Sequence, residues 1–418
     1  MNKDYKNKPE LLAPVQNWKA LKFINHIPDA IYFGTQEYNM RKNAQNFTQE
    51  DLEKVVKFCH SQDHPMNVYL CTNILIYNKE LNELENILQE AKDSNVDGII
   101  AHDIAAIELA KKCNLNFHIS TQANISNILS AQFFEQLGAD RLILARELSL
   151  EQIKEIKKGL NKAKIECFVH GSMCTSISGR CYLSATVEDS EVFSANRGNC
   201  TQPCRREWRV IDDQTNELIY DGKMFLNSKD LCMIEHIPEL IDANIDAFKI
   251  EGRMKDPLYV KTVATCYKEA INSYYNGTFS EDKVKQWKKR LSKVYNRGFH
   301  TGFYFKRPTA DDIQLNKRGN ISNYKKTYIG RILSYQNNVK TADIELEAKN
   351  CRLSEGDEIL IEGRGDTYLF EQVNNMLRQG KEISSIERGK DDAPIHLNIT
   401  LTNEVSPNDK IFKFYTYT

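Results

Sequence analysis

The chain has 418 residues, 41% hydrophobic and 27% charged, with a formal net charge of −1. That composition supports one large domain and a smaller one, each able to bury a core. It excludes a chain-wide basic field for nucleic acid, and the absence of any run of about 20 apolar residues excludes a membrane-spanning helix.

The opening Met-Asn-Lys-Asp-Tyr-Lys-Asn-Lys-Pro contains no apolar signal-peptide core. With eleven cysteines and no such leader, the expected location is the reducing cytoplasm, where disulfides are rare. Short apolar runs then alternate with helical patterns. Candidate strands are Leu11–Ala13, Ala30–Phe33, Val68–Leu70, Gly98–Ala101, Phe117–Ile119, Arg141–Leu144 and Cys167–Val169. Helix-like segments over Leu81–Ala91, Ala105–Lys112 and Leu150–Lys158 lie between them. An eighth apolar run, Ala247–Ile250, follows a long polar insertion. Alternation of this kind predicts βαβ units and a parallel sheet. Eight strands predict an α/β fold of the (β/α)8, TIM-like barrel type. A doubly wound open sheet is the competing architecture.

Several predicted strands run directly into polar residues. These are His102-Asp103, His118 with Ser120-Thr121-Gln122, Arg146-Glu147, His170-Gly171-Ser172 and Glu251-Gly252-Arg253-Met254-Lys255. In a barrel those ends form the mouth, where chemistry sits. The insertion over residues 172–236 would cover that mouth. It carries Cys174, Cys181, Cys200 and Cys204 among Gly, Ser, Asn and Pro, with Cys232 a little beyond. Core cysteines sit instead in apolar runs, as Cys59, Cys71, Cys113, Cys167, Cys266 and Cys351 do. All-thiolate sites select zinc or iron–sulfur. Six residues separate Cys174 from Cys181 and three separate Cys200 from Cys204, an irregular spread that suits a cluster better than a zinc finger. Disulfides or unlinked thiols are the bland alternative.

Beyond the eighth run, Tyr259–Tyr275 and Glu281–Tyr295 read as helices, and 306–327 as a polar linker. Residues 328–418 hold short strand-like runs broken by turn residues, which predict a small all-β barrel domain. The catalytic domain is thus expected over 1–305.

The segment around Cys174 resembles the signature of the collagenase-like peptidase family U32. The match runs through Glu166, Phe168, Gly171, Ser172, Met173, Cys174, Gly179, Cys181, Leu183 and Ser184. Stretches from Gly34 to Phe47, Asn196 to Arg205, Asn227 to Cys232, Lys249 to Lys255 and Asn296 to Gly302 are similar to the family as well. The resemblance implies two kinds of activity. One is proteolysis. The other is oxygen-independent hydroxylation by a 4Fe–4S enzyme, on the wobble uridine of tRNA, on ribosomal RNA or on a quinone precursor. Chain length and the single small C-terminal domain look like the tRNA branch, for which prephenate is the hydroxyl donor. The resemblance implies cluster ligation by Cys174, Cys181 and Cys232, with Cys200 as the fourth ligand and Cys204 its rival. It leaves room for a homologous partner chain.

Arg253 and Lys255 are candidates to bind the donor's carboxylates, because a guanidinium matches a carboxylate two-pronged. Arg41, Arg146 and Arg180 are further candidates. His118, His170 and Glu251 are candidate acid–base groups. Each has a structural alternative: an ion pair for the arginines, a satisfied hydrogen bond for the histidines. The tract Arg205–Arg209 and the lysine-rich helix from Lys283 to Lys293 are candidate RNA contacts, or simply solvated faces. A peptidase would need Ser172 or Cys174 as nucleophile with His170 as base, so iron ligation and proteolysis compete for Cys174.

Overall fold

The computed structural model describes residues 8–211, 217–219 and 224–416. Seven strands pair in chain order and in parallel: β1 (Glu10–Pro14), β2 (Ala30–Phe33), β3 (Asn67–Thr72), β4 (Gly98–Ala101), β5 (Phe117–Ile119), β6 (Arg141–Ile143) and β7 (Lys164–Ser172). The eighth, Ala247–Ile250, pairs in parallel with both β7 and β1 and closes the barrel. Open-sheet topology is ruled out by that closing pair.

The strands are buried on both faces, so they read as continuous apolar runs rather than alternating ones. Period-two alternation divides them all the same. Leu12, Tyr32, Tyr69, Cys71, Ile100, Ile143 and Ala247 cluster inside the barrel. Their neighbours Leu11, Ile31, Phe33, Leu70, Ile99 and Phe248 face the helix layer. The helices start where the sequence supplies caps. Asp103 accepts the Ala105 N–H before helix Ile104–Lys112. Ser149 and Gln152 cap helix Leu150–Lys158 reciprocally. Asp256, followed by Pro257, starts helix Pro257–Tyr275. The last predicted helix stops at Lys293, because Val294 is extended.

The cysteine-rich insertion leaves from the end of β7. It crosses in short 3-10 turns and one small helix, Leu183–Val187, and returns as strand Asp230–Cys232. That strand pairs antiparallel with His170–Ser172, and Phe299–His300 adds beside it. Both ends of the insertion are therefore pinned to one strand.

Residues 306–321 do not form the expected free linker. Lys229 N–H donates to Asp312 O, Gln314 N–H to Asn227 O, and Ile321 N–H to Asn296 O. The first two bonds satisfy backbone groups of the insertion and the third the break at Asn296, and the first unit extends to Ile321. The second unit, Ser322–Thr418, is an eight-stranded antiparallel sheet with a separate two-stranded one. Strand Thr341–Leu346 alternates buried and half-buried residues, the pattern of a sheet with one core face. Ile332, Ile344, Ile359, Leu397 and Ile411 fill that core. On the other face Phe414 stacks with Tyr324 and Phe370, at ring distances of 5.1 and 5.7 Å.

Candidate active site at the barrel mouth

Two adjoining cavities occupy the C-terminal end of the barrel. The inner one, about 520 Å3, descends among Tyr32, Cys71, Phe168, Lys249 and Arg253. The outer one, about 1100 Å3, is walled by the insertion. Met40, Arg41, Gln122, Arg146 and Glu251 line both.

Cys174, Cys181, Cys200 and Cys204 all line the outer cavity. Cys232 does not. It alternates to the core side of its strand, beneath helix Pro257–Tyr275, where its Sγ lies 3.9 Å from the Tyr267 hydroxyl. Burial pushes that thiol up to about 11. Of the thiols expected from sequence as ligands, Cys174, Cys181 and Cys200 therefore share the outer cavity with Cys204, the rival fourth ligand, which the turn Pro203–Arg205 carries there, while Cys232 stands apart from them. Burial raises the thiols of Cys200 and Cys204, while Arg41 and Arg205 respectively oppose the rise.

Local geometry holds these loops. Leu183 N–H donates to Cys181 Sγ and Gln202 N–H to Cys200 Sγ, each at 3.4 Å. Such N–H···S bonds stabilise a thiolate and tune a cluster. Glu147 accepts from Ser178 at both N (2.5 Å) and Oγ (2.8 Å), clamping the loop between Cys174 and Cys181. Gly198 has φ 87°, and a Cβ there would stand 2.3 Å from Asn39 O; only glycine lets this turn close on the barrel. Among the described residues, no three His, Cys, Asp or Glu side chains converge on one ion-sized point. The thiols face a shared volume instead.

Glu251 lies on the boundary between the cavities, 3.0 Å from Arg41. Burial would raise its pKa, but Arg41, Lys255 and Arg146 outweigh burial and hold it below the usual carboxylate range. Lys255 is pushed down to about 8 by burial, with Arg297 adding to the effect; its Nζ lies 3.1 Å from the Tyr295 ring centroid. Arg253 is only 3% exposed. It donates to Asn39 Oδ1, and its Nε has no partner among the described residues. Arg146 donates to Ser172 O at 3.2 Å and lies over the Phe168 ring. Neither Arg146 nor Arg253 has a carboxylate in ion-pair reach among the described residues. Arg41, Arg146, Arg253 and Lys255 are thus brought together, whereas Arg180 lines a separate pocket nearby.

The two histidines are corrected. His118 lies deeper in the barrel, its ring 4.5 Å from Tyr69. Burial and the charge of Arg141 drive its pKa well below the ordinary value. His170 sits on the outer side of β7, among Tyr259, Tyr267 and Phe299. Its Nδ1 is 3.3 Å from the Tyr267 hydroxyl, and burial takes it down to about 3. Neither ring lines the two cavities. Strand-end position in sequence does not say which face a side chain takes, and the irregularity between Lys249 and Ile250 shifts the pairing beside His170.

Arg297 and Lys249 are not among the site residues expected from sequence, and Arg205 is expected only as a candidate RNA contact. Arg297 pairs with Asp230 at 2.7 Å and donates to Ser172 Oγ at 3.1 Å. Arg205 donates to Ser228 O at 2.6 Å and to Asn227 Oδ1 at 3.0 Å. Lys249, on the barrel wall, meets Glu166 at 2.6 Å. The charged break at Asn296-Arg297-Gly298 and a lysine inside an apolar run were the available signals. In the lysine-rich helix Lys285 pairs with Asp282, Lys288 with Glu235 and Arg290 with Glu269, which offsets part of its charge.

The model of peptidase family U32 matches residues 16–314. The chain belongs to this family. It is 42% identical over 412 residues to an uncharacterized protease of Methanocaldococcus jannaschii, covering 96% of this chain and 97% of that one. It is 34% identical to a collagenase of Porphyromonas gingivalis, with 97% of each covered. It is 37% identical over 362 residues to tRNA hydroxylation protein P1 of Bacillus subtilis, covering 84% and 83%. Among the described residues of this family member, no helix is long and apolar enough to cross a membrane.

Proposed function

We propose that the protein is an RNA hydroxylase that carries a 4Fe–4S cluster on Cys174, Cys181, Cys200 and Cys204. Its proposed substrate is the wobble uridine of tRNA, with prephenate as hydroxyl donor. The observation that carries this reading is the meeting of four thiols and two carboxylate-free guanidiniums at one barrel mouth. Four soft donors, two of them accepting backbone N–H groups, fit an iron–sulfur cluster. The likeness to a tRNA hydroxylation protein supports the RNA substrate. This reading places the protein in the cytoplasm, with RNA and reduced thiols.

When bound, the cluster supplies electrons or a Lewis-acidic iron. The chain's own residues do the rest. Arg146 and Arg253 hold a small dianion by its carboxylates, which two guanidiniums without acidic partners favour. Glu251, kept ionised beside Arg41, stands ready to take the proton that leaves C5 of the base. Lys255, with a pKa near 8, holds or releases a proton at Nζ close to neutrality. The base loses its C5 hydrogen and gains a hydroxyl; the donor gives up that hydroxyl and leaves reduced by two electrons.

For the peptidase alternative, the expected base His170 is turned away from Ser172. Ser172 Oγ accepts from Arg297, while His170 lies on the other side of β7 against Tyr267. Anaerobically purified protein is expected to hold about four irons and four sulfides per chain, and Cys174→Ala to lose both together with tRNA hydroxylation in a complemented deletion strain. Hydroxylated uridine persisting in that strain would overturn the proposal.

A further inference from the structure

Beside the outer cavity lies a third pocket, about 450 Å3, that the proposed chemistry does not use. Met40 and Gln122 form walls common to this pocket and both cavities. Its floor includes Leu75 and its polar lining His102 and Asn196, while Arg180 and Tyr182 stand at its edge.

Tyr182 is 74% exposed, although a ring of that size is usually covered. Arg180 is exposed and has no carboxylate in ion-pair reach among the described residues. His102 is 7% exposed, and its Nδ1 finds no hydrogen-bond partner among the described residues, which is costly for a buried polar atom. Burial, with Arg180 adding, lowers this imidazole to about 4, so it is neutral, with a hydrogen bond to the Asn73 backbone and Nδ1 left for a ligand. An exposed aromatic face, an apolar floor, a neutral hydrogen-bonding edge and a cation at the rim together match one flat heterocycle linked to a phosphate.

We propose that this pocket holds a single unstacked nucleotide of an RNA substrate. Its base lies against Tyr182 with its edge toward His102, and its phosphate lies at Arg180. The inference rests on the RNA reading above and deepens it: the enzyme splays two adjacent nucleotides, sending one to the outer cavity and its neighbour here. Proteins that read single-stranded RNA bind unstacked bases on aromatic side chains in this way. The shared walls at Met40 and Gln122 set the two sites side by side.

The test measures binding of a full-length tRNA with uridine at the wobble position to the anaerobically purified full chain, by fluorescence anisotropy. Tyr182→Leu is expected to weaken binding about tenfold, the scale of one lost stacked base, with Tyr182→Phe close to wild type. Arg180→Ala is expected to weaken binding and to flatten its salt dependence. An abasic nucleotide beside the wobble position should weaken wild-type binding as Tyr182→Leu does, and should add nothing further in that variant. Both substitutions lie on exposed side chains, and circular dichroism checks that the barrel stays folded. Wild-type protein that binds tRNA while folded Tyr182→Leu and Arg180→Ala bind equally well would overturn the pocket alone. Wild-type protein with no tRNA affinity would overturn the RNA reading and the pocket with it.

Discussion

The barrel contains two layers of buried charge, one above the other, and they are built differently. In the lower layer every cation is answered. Glu166, fully buried, meets Lys249 at 2.6 Å and Arg141 at 3.1 Å, and Arg141 also meets Glu10 at 2.5 Å. Burial alone would protonate Glu166, but the two cations keep its pKa low. In the upper layer, Arg41 pairs directly with Glu251, whereas Arg146 and Arg253 hydrogen-bond only neutral groups among the described residues. A buried charge is tolerable when it is paired. The lower layer therefore belongs to the stability of the folded chain. The upper layer leaves positive charge for a ligand to neutralise.

Glu166→Ala tests this contrast hardest. It strands two buried cations, and a loss of about 3–5 kcal/mol in urea unfolding is expected; a loss under about 1 kcal/mol would show that the lower layer is no keystone. Arg253→Met should do the reverse. Stability should stay within about 1 kcal/mol of wild type, while the KM for the small anionic donor rises by the equivalent of about 2–5 kcal/mol. Equal destabilisation by the two substitutions would erase the distinction between layers.

A smaller effect is expected from Glu147→Ala, which leaves the Ser178 N–H without its acceptor, while Ser178 Oγ keeps Asn124 Oδ1 at 3.0 Å. Loop order should drop by about 1–3 kcal/mol, read as faster iron release to a chelator from the reconstituted protein. Release at the wild-type rate would remove Glu147 from the cluster's support. The smallest effect on activity is expected at His170. Its folded pKa of about 3 lies below the ordinary 6.5. Between those values the unfolded chain binds the proton and the folded chain does not, so stability falls as pH drops from about 6.5 towards 3. His170→Asn should flatten that acid limb and leave hydroxylation within a few-fold of wild type. Hydroxylation abolished in a folded His170→Asn protein would restore the catalytic role that its position against Tyr267 denies.

Much of this molecule was legible in its sequence. Apolar runs such as Ala30–Phe33 and Gly98–Ala101 reappear as barrel strands, because strand period and helix caps are local properties of neighbouring residues. The polar setting of Cys174, Cys181, Cys200 and Cys204 likewise separated them from the core thiols, since a thiol buried in the core needs apolar neighbours. What the sequence left open was direction. Whether Cys232 or Cys204 faces the outer cavity, whether His170 points into the barrel or under helix Pro257–Tyr275, and which arginines keep a carboxylate all depend on contacts between residues far apart in the chain. Arg205 and Met173, Arg253 and Asn39, Arg297 and Ser172 meet only after the barrel closes and the insertion folds back onto β7. Alternation along one strand assigns faces only relative to its neighbours; tertiary closure decides which face is the core and which is the site.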